Sequence, residues 1–78
     1  MAHGMLIHRL AATERHIKKG ERHVVHQREI IEALERHGRG QSETAKVARD
    51  VLRSYELTQA AHVKERELLL KALIETPE

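Results

Sequence analysis

Cysteine, phenylalanine and tryptophan are all absent from this chain of 78 residues. Without cysteine there can be no disulfide framework, no thiolate metal site and no cysteine nucleophile. With Tyr55 as its single aromatic residue, the chain lacks the large rings that anchor most small cores and the stacking platforms of single-strand nucleic-acid binders. The lack of cysteine also fits a reducing compartment, so we expect a cytoplasmic protein.

Residues that break helices are also scarce, with four glycines and one proline in the chain. Small all-β folds need frequent turns and many β-branched or aromatic strand residues, so this composition excludes them and favours long helices. The chain contains no apolar run of the roughly 18–20 residues that a membrane span requires, and its start lacks the apolar run of a secretory signal. We therefore expect no membrane partner.

The chain also lacks a large excess of either charge, because 14 basic and 12 acidic residues leave a net charge of only +2. The basic residues between Arg9 and Arg28 are interrupted by Glu14 and Glu21. Such alternation is typical of a solvated helix face, whereas a phosphate-binding track needs clustered basic residues. No pattern of short helices predicts a helix-turn-helix motif. The sequence therefore argues against a nucleic-acid partner.

One segment interrupts the helical pattern, His37-Gly38-Arg39-Gly40-Gln41-Ser42. Paired glycines end helices through a left-handed C-cap, and Ser42 is suited to cap the next helix. The sequence predicts one domain over 1–78, with helix 1 at about 4–37, a turn at 38–42 and helix 2 at about 43–75. Because the connection is so short, the two helices must be antiparallel neighbours.

Helix 1 repeats with a period of seven, and the tripeptide Glu-Arg-His occurs at 14–16, 21–23 and 35–37. Its two heptad rows are Leu10, Ile17, Val24, Ile31 and Leu6, Thr13, Gly20, Gln27, Leu34. Helix 2 fits a looser heptad, for which we assign Ala48, Tyr55, His62, Leu69 to one row and Thr44, Val51, Thr58, Glu65, Ala72 to the next. The repeat predicts coiled-coil packing with a left-handed supercoil.

A two-helix hairpin covers only one stripe of each helix, and this chain has apolar residues beside the stripe: Val25, Ile30, Leu52, Val63, Leu68, Leu70. Ordering such a chain costs on the order of 100 kcal/mol of conformational entropy. The burial of one narrow apolar seam between two helices does not offset that cost. The sequence therefore predicts an all-α helical hairpin that forms a homodimer packed as an antiparallel four-helix bundle. A marginal monomer and a bundle with a different protein partner are the alternatives.

The middle of the predicted seam is polar. Folding about residue 40 pairs positions whose numbers add to about 81, which makes both ends of the seam apolar. The predicted core is Leu6, Leu10, Ile17, Val24, Ile31, Leu34, Val51, Tyr55, Leu69, Leu73. Between the two ends lie His16, Gly20, His23 and His62, with Gly20 opposite His62 and His16 near Glu65. A polar layer of this kind fixes the register of a bundle at some cost in stability.

His16, His23 and His62, doubled by a dimer axis, are also candidate ligands for a transition metal, since imidazole binds Zn, Cu, Ni or Fe. The spacing matches neither Glu-x-x-His nor His-Glu-x-x-His, and His16 and His23 lie two helical turns apart, about 10 Å. We therefore interpret the histidines first as packing residues and assign no cofactor. A metal- or cofactor-binding four-helix bundle is the second interpretation.

Catalysis has little support in the sequence. Ser42 and Ser54 are the two serines, and neither lies in a nucleophile motif. No glycine-rich loop follows a predicted strand, so no phosphate-binding loop is expected. The sequence predicts that the protein is not an enzyme.

The pattern Glu-Arg-His-x₃-Gly-Glu-Arg-His-x₃-Gln-Arg at 14–28, followed by Gln59-x₂-His62, resembles a group of short, uncharacterised alphaproteobacterial helical proteins. The resemblance covers about residues 8–73 and implies a small bacterial protein without implying an activity. The recurrent positions it implies are His16, Gly20, His23, Gln27, Gln59 and His62. We expect a small interaction or regulatory module that acts as a homo-oligomeric helical bundle.

Overall fold

The structure, a computed structural model, describes residues 2–77. It contains two α-helices in contact, α1 (Ala2–Arg36) and α2 (Glu43–Glu75), which form the predicted helical hairpin. Helix α1 begins two residues before its predicted start and ends one residue before its predicted end, whereas α2 has the predicted range.

The turn between the helices is closed by backbone and side-chain caps. Gly38 has a φ of 73°, the left-handed conformation that glycine adopts without strain. The amide of Gly38 donates to the carbonyl of Glu35, and the amide of Arg39 donates to the carbonyl of Leu34, which together make a Schellman motif. Ser42 then caps α2, because its hydroxyl accepts from the amide of Ala45 at 3.2 Å. These contacts confirm the predicted C-cap and N-cap.

The seam between the helices follows the predicted heptad in α1, where Thr13, Ile17, Gln27 and Ile31 are buried. In α2 the second row is different from the predicted one. Ala45 and Ala48 are buried, and the seam continues at spacings of four and three residues through Leu52, Tyr55, Gln59, His62, Arg66, Leu69 and Leu73. The predicted row of Val51, Thr58 and Glu65 lies beside the seam, with Thr58 exposed.

The predicted core is only partly closed. Among its apolar residues Ile17, Ile31 and Leu69 are buried, and the others are half-buried: Leu6, Leu10, Val24, Leu34, Val51, Tyr55, Leu73. A single partner helix can cover only part of the circumference of a long helix, so large side chains in the seam remain partly exposed to solvent. The hairpin therefore keeps apolar surface beside the seam that it does not bury itself.

Two glutamines hold the helices in register. Gln27 of α1 donates its amide Nε2 to the carbonyl of Ala48 at 2.9 Å, and Gln59 of α2 donates to the carbonyl of Ile17 at 2.8 Å. Each bond crosses from one helix to the backbone of the other. A bond of this kind contributes about 1 kcal/mol, and it is lost if either helix slides along its partner.

The observed register differs from the predicted one. His16 faces His62 and His23 faces Tyr55, so the paired numbers add to 78 rather than 81. Gly20 lies against Gln59, and the prediction that it lies opposite His62 is wrong. Glu65, which we expected near His16, accepts a hydrogen bond from Arg9 at 3.0 Å. A shift of less than one helical turn separates the two registers.

The resulting molecule is a rod of 58 × 14 × 13 Å measured between Cα atoms, with a radius of gyration of 17.4 Å. A compact chain of this length has a radius of gyration of roughly 12 Å. Within residues 2–77, neither helix contains a stretch that is both long enough and apolar enough to span a bilayer.

Candidate functional site: the histidine face

Two ring stacks lie side by side on one face of the hairpin, halfway along its length. His16 of α1 stacks on His62 of α2, with ring centroids 5.0 Å apart and an interplanar angle of 21°. One heptad further along α1, His23 stacks on Tyr55, at 5.1 Å and 17°. Each stack joins the two helices. His16 and His23 remain exposed, and His62 and Tyr55 are half-buried.

A shallow cleft of about 130 Å³ lies between the two stacks. Its floor is the contact between Gly20 and Gln59. A Cβ atom on Gly20 would overlap Oε1 of Gln59 and would lie 2.8 Å from its Cδ, so the amide occupies the space that a side chain at position 20 would take. Thr58 and Lys19 lie at the rim of the cleft.

The amide of Gln59 is only half satisfied by conventional donors. Its Nε2 donates to the carbonyl of Ile17, but its Oε1 is buried and accepts from no N–H or O–H group of residues 2–77. Oε1 lies against Gly20, so close to the position of a Cβ atom there that the two would overlap, and the Cα–H of Gly20 is the neighbouring group. A weak Cα–H···O contact of this kind is second-order in energy, and only glycine leaves room for it here.

The face that carries these stacks, here called the histidine face, extends along the whole rod. Its rows follow from the heptad: Met5, Arg9, Ala12, His16, Lys19, His23, His26, Ile30 and Ala33 on α1, and Val47, Val51, Ser54, Thr58, Ala61, Glu65, Leu68, Ala72 and Glu75 on α2. Four of these residues carry a formal charge: Arg9, Lys19, Glu65 and Glu75. Arg9 and Glu65 neutralise each other across the face in an ion pair of 3.0 Å.

The opposite side of the hairpin, here called the charged face, has a different composition. It carries ionised side chains along its whole length: Glu14, Lys18, Glu21, Arg28, Glu32 and Glu35 on α1, and Lys46, Arg49, Arg53, Glu56 and Glu67 on α2. Ion pairs join Arg28 to Glu56 at 2.9 Å and Arg49 to Glu35 at 3.4 Å. Exposed pairs of this kind add little to stability, with typical values of about 0–1 kcal/mol.

Exposed apolar side chains occur on both faces, but the histidine face carries fewer formal charges, four against at least eleven. Met5, Ile30, Val47 and Leu68 are exposed there. On the charged face Ile7, Val25, Leu70 and Ile74 are exposed among the ionised residues. Isolated surface apolar residues are ordinary, whereas a continuous apolar strip with few charges is typical of an interaction surface.

Of the three predicted metal ligands, the structure brings two together. His16 and His62 are neighbours, while the ring of His23 lies in the other stack, against Tyr55. Within residues 2–77 no group of three or more His, Asp or Glu side chains converges on a common point. A single hairpin therefore places at most two of the predicted imidazoles at one location.

Sequence reasoning missed two residues of this site. Gln59 was named only among the positions that the resemblance implies, although it fills the space above Gly20 and donates a hydrogen bond to the carbonyl of Ile17. Tyr55 was treated as a core residue, although its ring stacks on His23. The combination of an interior helix glycine with a glutamine on the facing row is the signal that could have identified the first contact.

Comparison of the chain with protein-family models, with curated proteins and with solved structures gives no match. The geometry of the hairpin and the distribution of its side chains are therefore the observations that bear on function.

Proposed function

We propose that the protein is a small self-associating helical module whose working form is a homodimer of hairpins, packed as an antiparallel four-helix bundle. Its role is protein–protein interaction or regulation in a bacterial cytoplasm, and it has no catalytic activity of its own. The histidine-bearing cleft of about 130 Å³ is small beside ligand pockets, which have volumes of roughly 300–1,000 Å³. The absence of cysteine supports a reducing compartment.

The observation that carries this proposal is the excess surface of the hairpin. Its solvent-accessible surface is 6124 Å² for a mass of 9.0 kDa. A compact monomer of that mass exposes roughly 4,900 Å². The difference of roughly 1,200 Å² exceeds the share of about 800 Å² that one partner contributes to a standard interface. Pairing two hairpins would remove this excess.

The thin interior supports the same proposal. The buried apolar residues are Ile17, Ile31, Leu69 and the small residues Ala45 and Ala48. Burial of a large aliphatic side chain stabilises a fold by about 1.5–3 kcal/mol, and ordering each residue costs about 1.5 kcal/mol. Three large buried side chains are too few to stabilise a chain of this length, so folding should be coupled to association.

Coupled folding and association predicts a melting temperature that depends on protein concentration. We expect the midpoint of thermal unfolding, followed by circular dichroism at 222 nm, to rise by several degrees between about 1 µM and 100 µM protein, because mass action favours the associated native state. A midpoint that is constant over this range, together with a monomer mass in sedimentation equilibrium, would contradict the proposal. The same monomer mass would instead point to a different protein as the partner.

A metal-binding bundle is the second candidate, supported by the adjacent imidazoles of His16 and His62. A tetrahedral zinc site needs four ligands, so the pair would supply half of them and a second copy the other half. Metal binding would require one ring to rotate out of the stack, because stacked rings direct their nitrogens sideways rather than toward one point.

This candidate predicts a specific loss on mutation. If the pair holds a metal, His62→Ala should abolish binding of added Zn²⁺ in isothermal titration calorimetry while the dimer mass is unchanged. His3→Ala is the matched control, since His3 lies near the start of α1 and far from the stacks. Equal zinc binding by the wild type and by His62→Ala would exclude the site.

A further inference from the structure

We infer that the histidine face is the surface to which the second copy of the chain binds, and that the charged face remains in solvent. This inference rests on the proposed function, and it specifies which of two available faces the bundle uses. The choice is not obvious from apolar side chains alone, because each face exposes several.

Charge distribution distinguishes the two faces. Covering the charged face would remove at least eleven ionised side chains per copy from water, namely the six of α1 and the five of α2 given above. Four of the eleven are paired with each other, as Arg28 with Glu56 and Arg49 with Glu35, and those of the other seven that lack a partner would each need one. Covering the histidine face involves four formal charges per copy, and two of these, Arg9 and Glu65, are already paired. Interface centres are depleted in charged residues and enriched in aromatic ones.

The position of the ring stacks supports the same choice. The stacks of His16 with His62 and of His23 with Tyr55 lie near the midpoint of the rod. They therefore occupy the centre of any symmetric pairing through this face, where contacts are fully desolvated and contribute most to affinity. The shallow cleft between them is open to receive a side chain of the second copy.

The area of the face is sufficient for a stable dimer. The rod measures 58 Å by 14 Å between Cα atoms, and a rectangle of that size covers roughly 800 Å², the contribution of each partner to a standard interface. Two hairpins that meet along their full length therefore need no additional segment to form a stable contact.

The chain offers matched pairs of residues for a test. Leu68 on the histidine face is 58% exposed and Leu70 on the charged face is 45% exposed, and they lie two residues apart on α2. Val47 on the histidine face is 58% exposed and Val25 on the charged face is 56% exposed. In each pair the residue type and the exposure are similar, and only the face differs.

We expect Leu68→Glu and Val47→Glu to raise the dimer dissociation constant, measured by sedimentation velocity, at least about 100-fold, because each dimer would bury two unpaired carboxylates. Leu70→Glu and Val25→Glu should change it less than about threefold. The reverse pattern would overturn the inference and assign the interface to the charged face. A wild-type chain that is monomeric at every concentration would instead contradict the proposed function itself.

A second measurement covers the case in which a glutamate variant does not fold. Because the chain contains no cysteine, single-cysteine variants report local protection directly. Thr58 on the histidine face and Ala60 on the charged face are both exposed in the hairpin. We expect iodoacetamide to alkylate Thr58→Cys at least tenfold more slowly at dimeric than at monomeric concentrations, with no change for Ala60→Cys. Equal protection of the two thiols, or protection of Ala60→Cys alone, would overturn the inference.

Discussion

Replacing Gly20 with leucine is expected to lower the free energy of unfolding by about 1–3 kcal/mol, the usual cost of overpacking. The Cβ alone would overlap the amide oxygen of Gln59, and the rest of the leucine side chain must displace that amide. The hydrogen bond from Gln59 to the carbonyl of Ile17 would then be lost. Urea unfolding followed by circular dichroism measures the change.

The alanine variant separates the two effects that compete at this position. Alanine stabilises a helix interior by about 1 kcal/mol relative to glycine, and displacement of the Gln59 amide costs a similar amount. We therefore expect Gly20→Ala to be nearly neutral in the wild type. In a Gln59→Ala background, where the obstacle is gone, the same substitution should stabilise by about 1 kcal/mol.

Gly4 provides the control for this comparison, because it lies in α1 and a Cβ there would meet nothing within 4 Å. Gly4→Ala should stabilise slightly in either background, by less than the full helix-propensity difference since it lies in the first turn. A Gly20→Leu variant that melts at a higher temperature than the wild type would contradict the contact between Gly20 and Gln59 and the register that follows from it.

The sequence was sufficient to predict the helical hairpin, because the heptad of α1, the glycines of the turn and the cap at Ser42 all act locally. It was less informative about α2, where Leu52 and Val51 are adjacent and both apolar, so either could have continued the seam. The row of Leu52 is used because Ala45 and Gln59 continue it, and the burial of Ala45 and the bond of Gln59 depend on the facing helix.

The candidate site could be predicted in its residues but not in its pairing. His16, Gly20, His23 and His62 were identified as one polar layer, and all four line the cleft between the two ring stacks. Their partners depend on a register that is fixed by the two glutamine bonds across the seam, and a shift of three residues changes every partner. The solvent exposure of these side chains could not be predicted either. Residues at the edge of a two-helix seam become buried only if a second hairpin covers them.

Two copies of this hairpin are proposed to form the working protein. Native mass spectrometry of the untagged chain, sprayed at neutral pH from a solution prepared without chelator, tests this proposal most directly. We expect a dominant species at twice the mass of 9.0 kDa. A single-chain mass at every concentration up to about 100 µM would contradict the proposal.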